Sequence, residues 1–263
     1  MSYSTLDVNL DARGVAYVAL NLPETRNALS AQMIADLTNF SQTIGADPAT
    51  RAVVLSGAGK VFCAGGDLNW MKAQISADRE TRIREARKLA EMLNALNEMP
   101  TPLIAKIHGG AFGGGVGMAC VCDVAIAEAN TKFGLTETRL GLIPATIGPY
   151  VLARMGEGYA RRVFMSARVF SAEEARELGV VARSVVASEL DAAIEAEVTP
   201  YLNVAPEAAG AAKALARALG PRIDAEVIDD TIRRLADVWE NEEATHGIAS
   251  FFDKSNPRWA EDA

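Results

Sequence analysis

Pro102-Leu103-Ile104-Ala105-Lys106-Ile107-His108-Gly109-Gly110-Ala111-Phe112-Gly113-Gly114-Gly115-Val116-Gly117-Met118 is the stretch that decides the fold. Pro102 to Ile107 is apolar except for Lys106 and reads as a strand. The glycine-rich run from Gly109 to Met118 sits where that strand ends and a helix can begin. A second turn of the same kind, Phe62-Cys63-Ala64-Gly65-Gly66-Asp67-Leu68, follows the apolar strand Ala52 to Leu55. In an open α/β sheet, ligands bind outside the carboxyl ends of the strands. Glycine there lets a ligand approach the backbone and leaves amide N–H groups bare to donate.

Outward from these turns, Val15 to Leu20 and Val124 to Ala127 read as further strands. Ser30 can cap a helix through Met33, Leu37 and Phe40. A long helix with alternating charges covers about Thr81 to Asn97, with Ile83, Leu89, Met92 and Leu96 as its apolar stripe. The alternation of strands and helices predicts an α/β fold. Beyond residue 155 the pattern changes. Ser171-Ala172-Glu173-Glu174 reads as a capping box opening a helix that Gly179 ends. A strand over Val180 to Val186 follows, then helices near 188–200, 206–219 and 224–244. There is no linker rich in Pro, Gly or Ser, no internal repeat and no low-complexity tract. Residues 1–200 are assigned to the core, and 201–263 to a helical lobe that is not an independent domain.

Of the 263 residues, 49% are hydrophobic, enough for a substantial core. Twenty-six Lys and Arg against 34 Asp and Glu leave a net charge of −8, which argues against nucleic acid as a partner. Cys63, Cys120 and Cys122 are too few for a disulfide scaffold and wrongly spaced for a zinc knuckle, so buried reduced thiols are expected. The N-terminus lacks a basic-then-apolar signal, and no run of about 18 uncharged apolar residues appears. A soluble protein of a reducing cytoplasm, away from membranes, is the expectation.

The glycine run does not carry a dinucleotide fingerprint, which needs G-x-G-x-x-G and an acidic residue about 20 positions on. No G-K-[ST] follows either turn, and no G-x-S-x-G is present, so a phosphate loop and a hydrolase nucleophile elbow are unsupported. Two readings stay open for the glycines: tight packing, or an oxyanion hole to which each turn gives one N–H. Glu137 lies in a mostly neutral loop; by itself it reads as a solvated or capping carboxylate.

Taken together, the motifs are specific. Pro23-Glu24-Thr25-Arg26-Asn27-Ala28-Leu29, Phe62 to Leu68, the glycines at 113–115, Cys122 to Ala127, Phe133-Gly134-Leu135-Thr136-Glu137 and Gly141-Leu142-Ile143-Pro144 resemble the crotonase (enoyl-CoA hydratase/isomerase) superfamily in order and spacing. The ending Gly247-Ile248-Ala249-Ser250-Phe251-Phe252-Asp253-Lys254 is similar to its C-terminal signature. The resemblance implies a spiral of ββα units with a C-terminal helical trimerisation lobe, assembled as a trimer or a dimer of trimers. It implies an acyl-CoA thioester as substrate and no separate cofactor or metal.

By motif match, Gly66 and Gly114 supply the oxyanion N–H groups and Glu137 the acid/base. Arg26 faces the CoA phosphates, while Ala28, Ala64, Asp67, Leu68 and Gly117 line the CoA and acyl path. Phe251 and Lys254 approach the adenine end from a neighbouring subunit. Each has a plainer alternative: Asp67 as a helix cap, Arg26 as an exposed loop residue, Phe251 and Lys254 as helix packing and a solvated lysine. Trp70 and Met71 either wall the acyl pocket or belong to the core. His108 reads as a hydrogen-bonded core histidine, and His246 has no evident partner. Hydratases of the family commonly use two glutamates; at the first position this chain has Gly117. The stretch Gly141 to Val151, followed by Ala160-Arg161-Arg162, is similar to the methylglutaconyl-CoA and isohexenylglutaconyl-CoA hydratases. Hydration of an enoyl-CoA is therefore the expected activity. A Δ3,Δ2-isomerase using Glu137 alone, and a CoA-binding protein without turnover, are the alternatives.

Overall fold

A strand that alternates its side chains between two hydrophobic layers must be covered on both faces. Residues 3–260 are described by the computed structural model; the outer ends of the two segments assigned above lie outside them. Nine strands are present among these residues: β1 (Leu6–Leu10), β2 (Val15–Leu20), β3 (Ala52–Gly57), β4 (Leu103–Ile107), β5 (Gly110–Phe112), β6 (Val124–Glu128), β7 (Lys132–Gly134), β8 (Val169–Ser171) and β9 (Arg183–Val185). The helices are α1 (Ala31–Gln42), α2 (Leu68–Ser76), α3 (Arg79–Glu98), α4 (Gly114–Val121), α5 (Gly148–Met155), α6 (Glu157–Phe164), α7 (Ala172–Glu177), α8 (Leu190–Leu202), α9 (Pro206–Leu219), α10 (Ala225–Trp239) and α11 (Glu242–Asp253).

Six strands form one sheet in the order β1-β2-β3-β4-β6-β9, parallel except for β1. A second sheet has the order β5-β7-β8. The chain steps between the two: β4 joins the large sheet, β5 the small one, and α4 follows; β6 and β7 repeat the step. This is a ββα spiral in an α/β fold. Its units share no residue pattern, so no repeat is visible in the sequence.

On β3, Val53 and Leu55 pack into the main core under α1, α3 and α4, while Ala52 and Val54 face α8 through Ile194 and Val198. Full burial of each of the valine, leucine and isoleucine side chains among them is worth about 1.5–3 kcal/mol. Ion pairs between Lys106 and Asp191 and between Arg13 and Glu195 fasten α8 over the sheet. Lys213, on α9, reaches Asp123 at 2.8 Å.

Several expectations need correction. The helix over 224–244 is two helices, broken at Glu240 and Asn241. The break lets α11 fold back over residues 140–142 through Ala244 and Ile248. The strand over 180–186 shrinks to Arg183–Val185, because Val180 and Val181 bury into the main core instead. The capping box is half formed: Ser171 accepts from the Glu174 N–H at 3.1 Å, but the Glu174 carboxylate turns to Arg168 at 2.8 Å. Strands β1, β5, β7 and β8 were not legible; three of them have three residues each, too short to show a period.

Candidate active site

Two glycine turns meet because the strands before them are neighbours in the large sheet. Cys63 pairs with Ala111 as an isolated parallel bridge, with the Phe112 N–H donating to the Cys63 carbonyl at 3.0 Å. Leu29 pairs with Gly66 in the same way and donates its N–H to the Gly65 carbonyl at 2.8 Å. The 26–29 segment, the 62–68 turn and the 109–117 turn thus lie side by side.

Glu137 comes to this place from the other direction. It opens a short 3-10 turn, Glu137–Leu140, directly after β7, and Gly113 at the foot of α4 donates its N–H to the Gly134 carbonyl at 2.9 Å. A Cβ built on Gly113 would lie 3.0 Å from Glu137 Oε1 and 3.9 Å from Gly65 Cα. Gly113 also takes a positive φ of 47°, which L side chains rarely adopt. Glycine is therefore required here on two counts, and its bareness lets the carboxyl lie against the start of α4.

The Glu137 carboxyl is buried, and Oε2 has no hydrogen-bond partner among the described residues. Burial raises the pKa from the ordinary 4.5 to about 7, with its own backbone N–H the opposing influence. The group can both accept and release a proton near neutrality. The amides of Gly66 and Gly114 meet no acceptor among the described residues. Gly114 is the first residue of α4, all eight residues of which are buried, and the unmatched N–H groups at its start form a positive end. Gly66 is exposed, and a Cβ there would meet nothing within 4 Å.

The remaining expected site residues divide. Arg26 is exposed, and its carbonyl accepts the Ala64 N–H at 3.0 Å; Ala28 is buried beside them. Asp67 caps α2, its carboxylate accepting from the Trp70 N–H at 2.9 Å, and Leu68 is exposed. Met71 is buried and Trp70 half-buried. Phe251 and Lys254 are exposed at the end of α11, whose Phe252 lies under Lys72 of α2 at 4.6 Å. His108 is bonded, as expected, at 3.0 Å from the Gly59 carbonyl, but it is half-buried and outside the core. His246 does have partners: Nε2 accepts from the Arg258 N–H at 2.9 Å, and Trp259 meets its ring edge-on. The three cysteines are free and buried; burial pushes the thiols of Cys63 and Cys120 up to about 12, which keeps them protonated.

Gly117 sits one turn along α4 from Gly113, its N–H bonded to the Gly113 carbonyl at 3.1 Å. A Cβ there would fall 2.4 Å from Ile147 Cγ2. Nothing in the sequence pointed to Ile147, which lies thirty residues away. A cavity of about 880 Å³ lies elsewhere, between α9 and the core around Tyr150, Arg154 and Lys213; Gly66, Gly114, Gly117 and Glu137 are not among its lining residues. Among the described residues, no three His, Cys, Asp or Glu side chains gather as metal ligands, and no helix is long and apolar enough to cross a membrane.

Two unbonded amides in turns that meet, and one buried carboxyl oxygen beside Gly113, suit proton transfer next to a carbonyl whose oxygen gains charge. The enoyl-CoA hydratase/isomerase family model matches residues 11–262. The enoyl-CoA hydratase AKT6-1 of Alternaria alternata is 32% identical, over 95% of this chain and 83% of its own. The crystal structure of an enoyl-CoA hydratase from Mycobacterium avium superposes with a TM-score of 0.85 at 30% identity, covering 98% of this chain and 100% of that one. Pseudomonas aeruginosa AtuE gives 0.79 at 36% identity, covering 98% and 100%. Sequence, fold and site geometry converge, and the chain belongs to the enoyl-CoA hydratase/isomerase family.

Proposed function

We propose that the protein adds water across the 2,3 double bond of an enoyl-CoA, with a branched acyl group of the 3-methylglutaconyl type as substrate. The observation that carries this reading is the Glu137 carboxyl beside Gly113, its buried Oε2 without a partner, at the junction of two turns that offer free amides. The Gly66 and Gly114 N–H groups receive the thioester oxygen. The Glu137 carboxylate takes a proton from water as the water oxygen bonds to C3. The C2–C3 π electrons move toward the thioester, and the oxygen carries the enolate charge. Each donor contributes on the order of 3 kcal/mol to that transition state. Glu137 then returns the proton to C2 on the same face. The carboxylate is regenerated, and the product holds one water more than the substrate.

The CoA portion runs past Arg26, Ala28, Ala64 and Leu68, with Asp67 holding the start of α2. The C-terminal lobe, residues 201–263, joins protomers into a trimer or a dimer of trimers and brings Phe251 and Lys254 toward a neighbour's adenine. No cofactor beyond the CoA thioester is needed, and the compartment is the cytoplasm. A second reading is favoured by one observation, a single carboxyl with a pKa near 7. Such a group can carry a proton between C4 and C2 of a 3-enoyl-CoA without water.

Mass spectrometry of purified protein with crotonyl-CoA, 3-methylcrotonyl-CoA, 3-methylglutaconyl-CoA and a 3-enoyl-CoA tests both. Gain of one water on the branched glutaconyl thioester is the expected result. A double-bond shift at constant mass puts the isomerase first, and no conversion of any of the four overturns the reading.

A further inference from the structure

The turn that carries Glu137 is held from outside by α11, at a place where two backbones touch with no side chain between them. A Cβ on Gly247 of α11 would fall 2.7 Å from both the carbonyl carbon and oxygen of Leu140, and 2.9 Å from the Trp259 ring. Reciprocally, a Cβ on Gly141, the residue that ends the turn, would fall 2.5 Å from the carbonyl of Glu243 and 2.8 Å from the Ala244 nitrogen. Gly141 also takes a positive φ of 69°. Around this contact, Leu142, Trp239, Ala244 and Ile248 form a separate buried cluster, with Leu140 packed against it. Inside the turn, the Glu137 carbonyl accepts from the Leu142 N–H at 3.1 Å. On its other flank, Thr138 Oγ1 donates to the Met165 carbonyl at 3.1 Å. The charged and titratable side chains these elements carry beside the turn are Arg139, Glu243 and the half-buried His246, the first two exposed.

We infer that α11 is the positioning element of Glu137, acting through the Gly247–Leu140 and Gly141–Glu243 backbone contacts, so that Gly141 and Gly247 are positioning residues for the proposed reaction. The Glu137 carboxyl depends on its depth: its proton affinity comes from burial and not from a charged neighbour. A shift of the turn by a fraction of an ångström changes both the reach of the carboxyl and the water around it. Leu140 presents backbone to α11, which cannot give way as a flexible side chain could. An added methyl at 247 therefore moves the turn or the helix.

The inference rests on the role proposed for Glu137, and the experiment separates the two. Turnover of crotonyl-CoA and 3-methylglutaconyl-CoA, the pH profile of kcat/KM, KM and thermal stability are measured for Gly247→Ala, with Glu137→Gln as reference. The expected result is a roughly ten- to hundredfold fall in kcat for Gly247→Ala, an acidic limb moved to lower pH as water reaches the carboxyl, and a change in KM smaller than that in kcat, Phe251 and Lys254 being carried on the same helix. A folded Gly247→Ala protein with reduced melting temperature but parental kcat and parental limb overturns the inference, because a packing role alone would do that. If Gly247→Ala does not fold, Ile248→Val loosens the same cluster more gently. A two- to fivefold loss of kcat with the same direction of limb shift then supports the inference, and an unchanged profile overturns it. Full turnover in Glu137→Gln overturns the role of Glu137 and this inference together; loss of turnover there with an unaffected Gly247→Ala overturns this inference alone.

Discussion

Ile147 fills the space above Gly117. Its Cγ2 lies 2.4 Å from where a Cβ on Gly117 would stand, and Leu93 Cδ2 closes the same side at 3.7 Å. Both side chains are at most 2% exposed. A carboxylate side chain at this position would find apolar atoms already in its place. Gly117→Glu is expected to lose about 1–3 kcal/mol from overpacking, with more from the buried carboxyl, and to gain no turnover. Adding Ile147→Gly should recover part of the melting temperature by restoring room. Thermal melts and turnover of the single and double variants check this, and a stable Gly117→Glu single variant would contradict it.

Glu137 destabilises the fold when it ionises. Its folded-state pKa of about 7 exceeds the ordinary 4.5, so between those pH values the folded chain holds a proton that the unfolded chain releases. Stability is full below about 4.5 and falls as pH rises through about 7, by on the order of 3 kcal/mol in all. Gln at 137 does not titrate. The melting temperature of Glu137→Gln relative to the parent should therefore rise from pH 4.5 to pH 8, while turnover is lost. A difference independent of pH would mean that the carboxyl is solvated.

The same proton governs rate. In the proposed hydration the free enzyme must hold Glu137 as carboxylate, so kcat/KM should rise with pH through about 7 and level above it. An acidic limb near 4.5 would indicate an exposed, ordinary glutamate.

What the sequence disclosed follows from how far each signal reaches along the chain. Strands 15–20, 52–55, 102–107 and 124–127 were legible because long apolar runs sit between glycine turns, and each lies in the large sheet within a residue or two. The ββα step was not, since β5 and β7 have three residues each and are defined by partners far along the chain. At the site, Glu137 and the two glycine turns were visible as motifs. The Ile147–Gly117 and Gly247–Leu140 contacts were not, because neither isoleucine nor glycine carries a chemical signal without its spatial neighbour. The helix over 224–244 failed for a related reason: the turn at Glu240 and Asn241 is set by what α11 packs against.

Asp67 separates structure from chemistry. Its carboxylate caps α2 by accepting the Trp70 N–H at 2.9 Å. Asp67→Ala should cost about 1 kcal/mol of stability and leave kcat within a few-fold of the parent, whereas Asp67→Asn or Asp67→Ser, which keep a capping oxygen, should melt like the parent. A large loss of kcat in the well-capped Asp67→Asn would instead give the carboxylate a role toward substrate.

Gly66 and Gly114 make matched tests of the proposed oxyanion donors, because a methyl meets different surroundings at each. At Gly66 it meets nothing within 4 Å, and the backbone there is outside the left-handed region. Gly66→Ala should therefore fold with stability within about 0.5 kcal/mol of the parent. At Gly114 a methyl falls 2.5 Å from Leu29 Cδ1, a buried side chain that must shift, and Gly114→Ala should lose about 1–3 kcal/mol. Turnover should fall at both positions if both amides hold the thioester oxygen as proposed, because a methyl on either residue crowds a bound substrate beside its N–H. With each donor worth on the order of 3 kcal/mol, partial displacement of the oxygen should cost at least tenfold in kcat. Gly66→Ala is the sharper of the two, because its expected loss of rate comes without a loss of stability; parental kcat in that variant would remove Gly66 from the oxyanion site.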